Sequence, residues 1–266
     1  MNKGTLSGIG IALSGIAAGL YLDHGQAGQM LQPTAALIVF GGTLGAVMVQ
    51  FPLSVVLRAA RQLKAVFLGL EDPAPRIIED LTRYAARARR NGMISLESDL
   101  ELIEEPFLKK GLTLAVDGTH VPELRKTMEL EMDIESDNED LIPRVFEAAG
   151  GFAPTIGILG AVIGLIQVMQ RLESINEVGK GIAVAFVATI YGVGSANIFF
   201  LPCAGRIKIQ MRRRQVIREL MLDGVIAIVE RASPRVLEAR LAVYRNKSAP
   251  AAKGRPVVVE EASVAK

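Results

Sequence analysis

A few weakly polar side chains sit inside long apolar stretches, among them Thr43, Gln50, Thr155, Gln167, Thr189, Ser195 and Asn197. Hydroxyls and amides offer lone pairs to water or to a cation. They cannot carry a proton through a titration cycle, as the Asp, Glu or His of a pump or proton relay does. No Asp, Glu, His, Lys or Arg lies within Leu6–Leu22, Thr34–Phe51, Gly150–Met169 or Gly181–Cys203. An ion passing these segments would meet a polar wall, and its titrating acid would have to come from another chain. A helical threonine also tends to bond its own backbone, so each one alone reads as structural.

Other chemistry is poorly provided for. Ser195 in "GVGS" has the look of a nucleophile, but no histidine lies in the same apolar stretch to act as base, which argues against an intramembrane hydrolase. The single cysteine, Cys203, excludes an intramolecular disulfide, and at the end of an apolar run it reads as a small core residue. His24 and His120 lie in different loops and form no metal-ligand pattern. No catalytic residue, metal or cofactor is expected, and nucleic acid is not an expected partner.

The four apolar runs have the length that crosses a bilayer, which predicts an all-α, polytopic membrane protein with four transmembrane helices and membrane lipid around it. The first reads as an uncleaved helix, because it is long for a signal sequence and preceded by little positive charge. The 23–32 loop has no Lys or Arg, and the 170–180 loop balances Arg171 and Lys180 with Glu173 and Glu177. Arg58, Arg61 and Lys64 follow the second run, and Arg206, Lys208, Arg212, Arg213 and Arg214 follow the fourth. That asymmetry predicts an inner-membrane protein with both termini in the cytoplasm.

The expected organisation is helices one and two over 1–52, a cytoplasmic helical insert over 53–147, helices three and four over 148–204, cytoplasmic C-terminal helices over 205–246, and a disordered tail over 247–266. Pro33 opens helix two and Pro52 closes it. In "PRIIEDLTRYAARARR", Ile77, Ile78, Leu81, Tyr84, Ala85 and Ala88 recur at helical spacing opposite a charged face. Asn91–Gly92 stops that helix, and Ser95 is the expected N-cap of the next. A helix from about Val121 runs toward the third membrane helix, and a basic helix covers roughly Gly205 to Glu230. Ser233–Pro234 starts a last, short helix. These cytoplasmic helices read as long extensions of membrane helices, without a separate soluble domain.

Small residues are frequent where membrane helices must meet. "GTLSG" and "GIAAG" in helix one, "GGTLG" in helix two, Gly160 and Gly164 in helix three and "YGVGSAN" in helix four permit close backbone approach. Packing within one chain accounts for most of them, and the remainder on helices three and four points to helices of other subunits.

With "APTIGILGAVIGLI", "AVAFVATIYGVGSANIFFLP" and "ARRNGMISLE" together, the chain resembles the MotA/PomA family, the A subunit of the bacterial flagellar motor stator, over about residues 4–247. The resemblance implies five such chains, a homopentamer, around two copies of a MotB-type B subunit whose single helix carries the ion-binding aspartate. Helices three and four would line the central space. Pro154, Thr155, Ala161, Thr189, Tyr191 and Pro202 fall at its ion-pathway and conformational-coupling positions. Pro154 would loosen helix three and free a carbonyl. Arg89, Arg90 and Glu97 match the positions that push on the rotor protein FliG. By themselves they would read as charges complementing helix dipoles. Sodium-type members pair the Thr189 position with a second threonine where this chain has Ala161, which implies protons as the transported ion. Arg231 departs from the family, which commonly has glycine there. The nearest alternative is an ExbB/TolQ-type energy transducer, whose members typically have three membrane helices and an outside N-terminus.

Overall fold

The computed structural model describes residues 3–22, 27–67, 72–170 and 175–248. Among them every regular element is helical. Three helices are long and apolar enough to cross a membrane, and the apolar helix over Ser7–Leu22 is shorter. The elements are α1 (Lys3–Leu22), α2 (Pro33–Gln50), α3 (Leu53–Phe67), α4 (Ala74–Asn91), α5 (Glu97–Leu100), α6 (Pro106–Val116), α7 (Val121–Met169), α8 (Ile175–Gly194), α9 (Leu201–Val229) and α10 (Pro234–Ser248). His24 and the tail beyond 248 lie outside the described residues.

Local chemistry sets most of the boundaries. Pro33 is the first residue of α2, where its missing N–H costs nothing. Phe51 is extended, at φ −122° and ψ 142°, as a residue before proline should be, and α3 begins after Pro52. Ser233 caps α10, accepting the Val236 N–H at 3.4 Å. The Ser95 expectation is wrong. A 3-10 turn over Met93–Leu96 intervenes, and the Ser95 hydroxyl donates back to the Gly92 carbonyl at 2.6 Å, leaving α5 without a side-chain cap. A serine hydroxyl can close a local turn as readily as it caps a helix.

The chain divides into two compact units. Of the described residues, one comprises those within 3–67 and 133–212; the other comprises 72–132 and 213–248. In the first, Val47, Phe51, Val55, Ala59, Ile142, Phe146, Ala149, Cys203 and Ile207 form a buried cluster, with Ala35, Val39, Val187 and Ala188 in another. The second unit has a core of its own, which the sequence reading had not assembled from its separate extensions. Leu81, Leu112, Leu124, Leu220, Leu237 and Leu241 are fully buried there, each worth about 1.5–3 kcal/mol of burial. Gly224 makes the closest approach: a methyl group there would lie 2.4 Å from Leu81 Cδ1. The six apolar positions marked in α4 all turn inward, Ile78 only partly.

Candidate functional site: the paired membrane helices and the charged turn

The membrane-spanning part of α7 and helix α8 meet almost backbone to backbone. A methyl group on Gly157 would lie 2.9 Å from the Ala188 carbonyl oxygen, and one on Gly192 would lie 2.5 Å from that of Ala153. Gly164 comes equally close to Gly181 and Ala185, and Gly160 to Ala188 and Ile38 of α2. A larger residue at these levels would force the neighbouring atoms to shift, and close backbone approach takes over much of the role of side-chain packing. Gly8, Gly10, Gly15, Gly19, Gly41, Gly45, Gly151, Gly179 and Gly194 meet nothing within 4 Å. The small residues left over within the chain therefore lie largely on α1 and α2 as well as on α7 and α8.

The predicted pathway residues fall around this seam. Pro154 lies inside α7, which continues through it, and its missing N–H leaves the Gly150 carbonyl without the usual helical donor. Thr155 is exposed and donates to the Phe152 carbonyl at 2.8 Å; Thr189 donates to the Ala185 carbonyl at 3.2 Å. Their protons are committed to their own helices, but each oxygen still has lone pairs to offer. Ala161 and Thr189 each follow the touching pair Gly160 and Ala188 on helices that run antiparallel, so they lie about 3 Å apart along the axis. Thr155 lies six residues from Ala161, about 9 Å along the helix.

Two other predicted residues have visible partners or neighbours. The Tyr191 hydroxyl donates to the Met30 carbonyl at 2.5 Å and lies 3.4 Å from the Gln32 N–H, while the ring stacks on Phe40 at 5.9 Å. Tyr191 ties α8 to the entry of α2. Pro202 is exposed and follows a π-helical turn over Ser195–Phe200, whose wider register takes the Leu201 N–H to the Ala196 carbonyl. It lines an apolar cavity of about 540 Å³ with Gly4, Gly8, Asn197, Cys203 and Arg206. The two π-helical turns, here and at Leu37–Gly41 within α2, left no sequence signal.

In the second unit, Arg89 and Arg90 end α4 and Glu97 begins α5, all three exposed. Among the described residues none of the three makes an ion pair. Their neighbours do. Arg76 pairs with Glu104 at 3.6 Å, Arg83 with Asp80 at 2.6 Å and Arg87 with Asp99 at 2.7 Å. Gly92 separates the two groups with φ +82°, a turn that glycine makes without strain. Sequence reasoning missed the Arg87–Asp99 pair, because a separation of twelve residues across a turn has no periodic signature.

Residues 99–220 match the MotA/TolQ/ExbB proton channel family, and residues 6–84 match the motility protein A N-terminal family. Motility protein A of Bacillus subtilis (strain 168) is 33% identical over 249 residues, covering 92% of this chain and 91% of its own. The chain belongs to the MotA/PomA family. Chemotaxis protein PomA of Vibrio alginolyticus is 29% identical, covering 84% of this chain and 87% of its own. The structure of C. jejuni MotAB superposes with a TM-score of 0.85 at 29% identity, over 92% of this chain and 96% of that one. The flagellar MotAB stator complex from Bacillus subtilis gives 0.81 at 32%, over 92% and 98%. As a MotA/PomA protein, the chain is the A subunit of a flagellar motor stator and part of its ion channel, in preference to the ExbB/TolQ alternative.

Proposed function

We propose that five copies of this chain surround two MotB-type B subunits in the inner membrane, both termini cytoplasmic, and that proton flow drives torque on FliG. The observation that carries this reading is the absence of any Asp, Glu, His, Lys or Arg from the apolar runs. The chain can wall an ion path but cannot by itself bind and release a proton within it, so the acid belongs to the B subunit. Glycines that meet nothing within the chain, such as Gly45 and Gly194, leave room for helices of neighbouring subunits. The free Gly150 carbonyl beside Pro154 and the lone pairs of Thr155 and Thr189 supply the polar wall. Arg89, Arg90 and Glu97, exposed and without an ion pair among the described residues, act across the rotor interface, where charge complementarity sets register.

Protons are favoured over sodium because sodium must replace its hydration water with several converging oxygens. Near the level of Thr189 the facing helix offers the methyl group of Ala161, and Thr155 lies more than a helical turn away. Stator-driven rotation should persist at fixed membrane potential when sodium is withdrawn, and should fall when a protonophore is added. Rotation that stops without sodium would show that Ala161 does not decide the ion.

A further inference from the structure

The turn that carries Glu97 is weakly built by itself. It consists of Gly92, one 3-10 turn and the four-residue helix α5, too short to be stable alone. Leu96, 1% exposed, anchors it from below, and Ser95 closes it locally on Gly92. Across the turn the described side-chain hydrogen bonds come from Arg87, and Arg83 also attracts Asp99 electrostatically. Arg87 Nη1 lies 2.7 Å from both carboxylate oxygens of Asp99, and Nη2 donates to Ser98 Oγ at 3.1 Å. The Asp99 side chain is only 19% exposed, so this pair is less screened than a fully solvated one.

The spacing separates holding from pushing. Arg87 precedes Arg89 by two residues, and Asp99 follows Glu97 by two. Two residues of α-helix turn the direction by about 200°. Arg87 and Asp99 therefore point toward each other while Arg89 and Glu97 point away from them. Beside the backbone of 92–96 and the buried Leu96, Asp99 and Arg87 give a force at Glu97 a second route to α4.

We propose that Arg87 and Asp99 are positioning residues of the rotor-facing surface: their ion pair fixes Glu97 relative to Arg89 and Arg90 and stiffens the turn under load. The proposal rests on the reading that these three charges face the rotor. Arg87 and Asp99 themselves contact no rotor.

The test uses the complete stator, this chain with its B subunit, in a flagellated host lacking its own stators. Asp99→Asn is compared with the swapped pair, Arg87→Asp with Asp99→Arg, and with Glu97→Lys. Torque per stator is measured at high and low load, stator number is counted, and hydrogen exchange is followed over residues 92–100 of the purified complex. We expect Asp99→Asn to keep its stator number and low-load speed but lose high-load torque, with exchange over 92–100 faster by about fivefold. The swapped pair should recover both torque and protection. Normal high-load torque in Asp99→Asn with an impaired Glu97→Lys overturns the positioning role and leaves the rotor reading intact. A harmless Glu97→Lys overturns the rotor reading, and this proposal with it. Loss of Asp99→Asn from the membrane, unrelieved by the swap, assigns the pair to folding alone and overturns the proposal.

Discussion

Arg231 holds a backbone conformation that its own side chain resists. Its φ is 56°, and among the described residues it shares a positive φ only with Gly92 and Gly118. The hydrogen bonds explain the demand: Ala232 N–H reaches the Ala227 carbonyl at 2.9 Å, and Arg231 N–H reaches that of Ile228 at 3.0 Å. This is a Schellman ending of α9, with Arg231 at the left-handed position. Helix α6 closes by the same pair of bonds, from Thr119 to Leu114 and from Gly118 to Ala115, with glycine at that position. The turn marked as a departure in sequence forms normally, at a cost of about 1 kcal/mol for the side chain. Arg231→Gly should raise the thermal midpoint of the purified stator complex by an amount matching about 1 kcal/mol, and leave torque unchanged. An unaltered or lowered midpoint would mean that the Arg231 side chain makes up for the strain.

The helices α7 and α8 depend on glycine at some positions and only tolerate it at others, and two residues of the same helix separate these cases. Gly192→Ala places a methyl group 2.5 Å from the Ala153 carbonyl oxygen, and should cost about 1–3 kcal/mol through forced separation of the helices. Gly194→Ala meets nothing in the chain, so any effect it has arises from a neighbouring helix in the assembled stator. Comparing membrane accumulation of the two variants decides this: equal loss would remove the distinction between the seam and the open face. Pro154→Ala should restore a donor to the Gly150 carbonyl and a more regular α7, giving stators that assemble but turn with less torque. Wild-type torque would reduce Pro154 to a tolerated interruption. The apolar face of α4 was legible because Ile77, Leu81, Tyr84, Ala85 and Ala88 repeat at helical spacing against charge. The glycine spacing announced close packing but could not name the partner, because Gly157–Gly192 and Gly164–Gly181 are contacts between helices. Ser95, the π-helical turns and the Arg87–Asp99 pair were illegible for related reasons. Each depends on which nearby or non-local partner a group finds, and residue type alone does not fix that.

At the scale of the whole molecule, the apolar runs and their bordering charges identified a polytopic membrane chain, since bilayer thickness leaves few alternatives for such runs. The second unit was less legible. Its core joins Leu81, Leu112 and Leu124 to Leu220, Leu237 and Leu241, over a hundred residues of sequence away for Leu81, and no local pattern reports that meeting. Function sits between chains in a similar way. The apolar runs hold no acid, so this chain should neither conduct ions nor turn a motor alone, and both should appear when a B subunit supplies the carboxylate. The most direct measurement is flagellar rotation of tethered cells of a stator-deficient host expressing this chain with and without its B subunit. The account predicts no rotation from the chain alone and restored rotation, in discrete torque steps, from the pair. A pair that assembles in the membrane yet leaves the flagella still would contradict it.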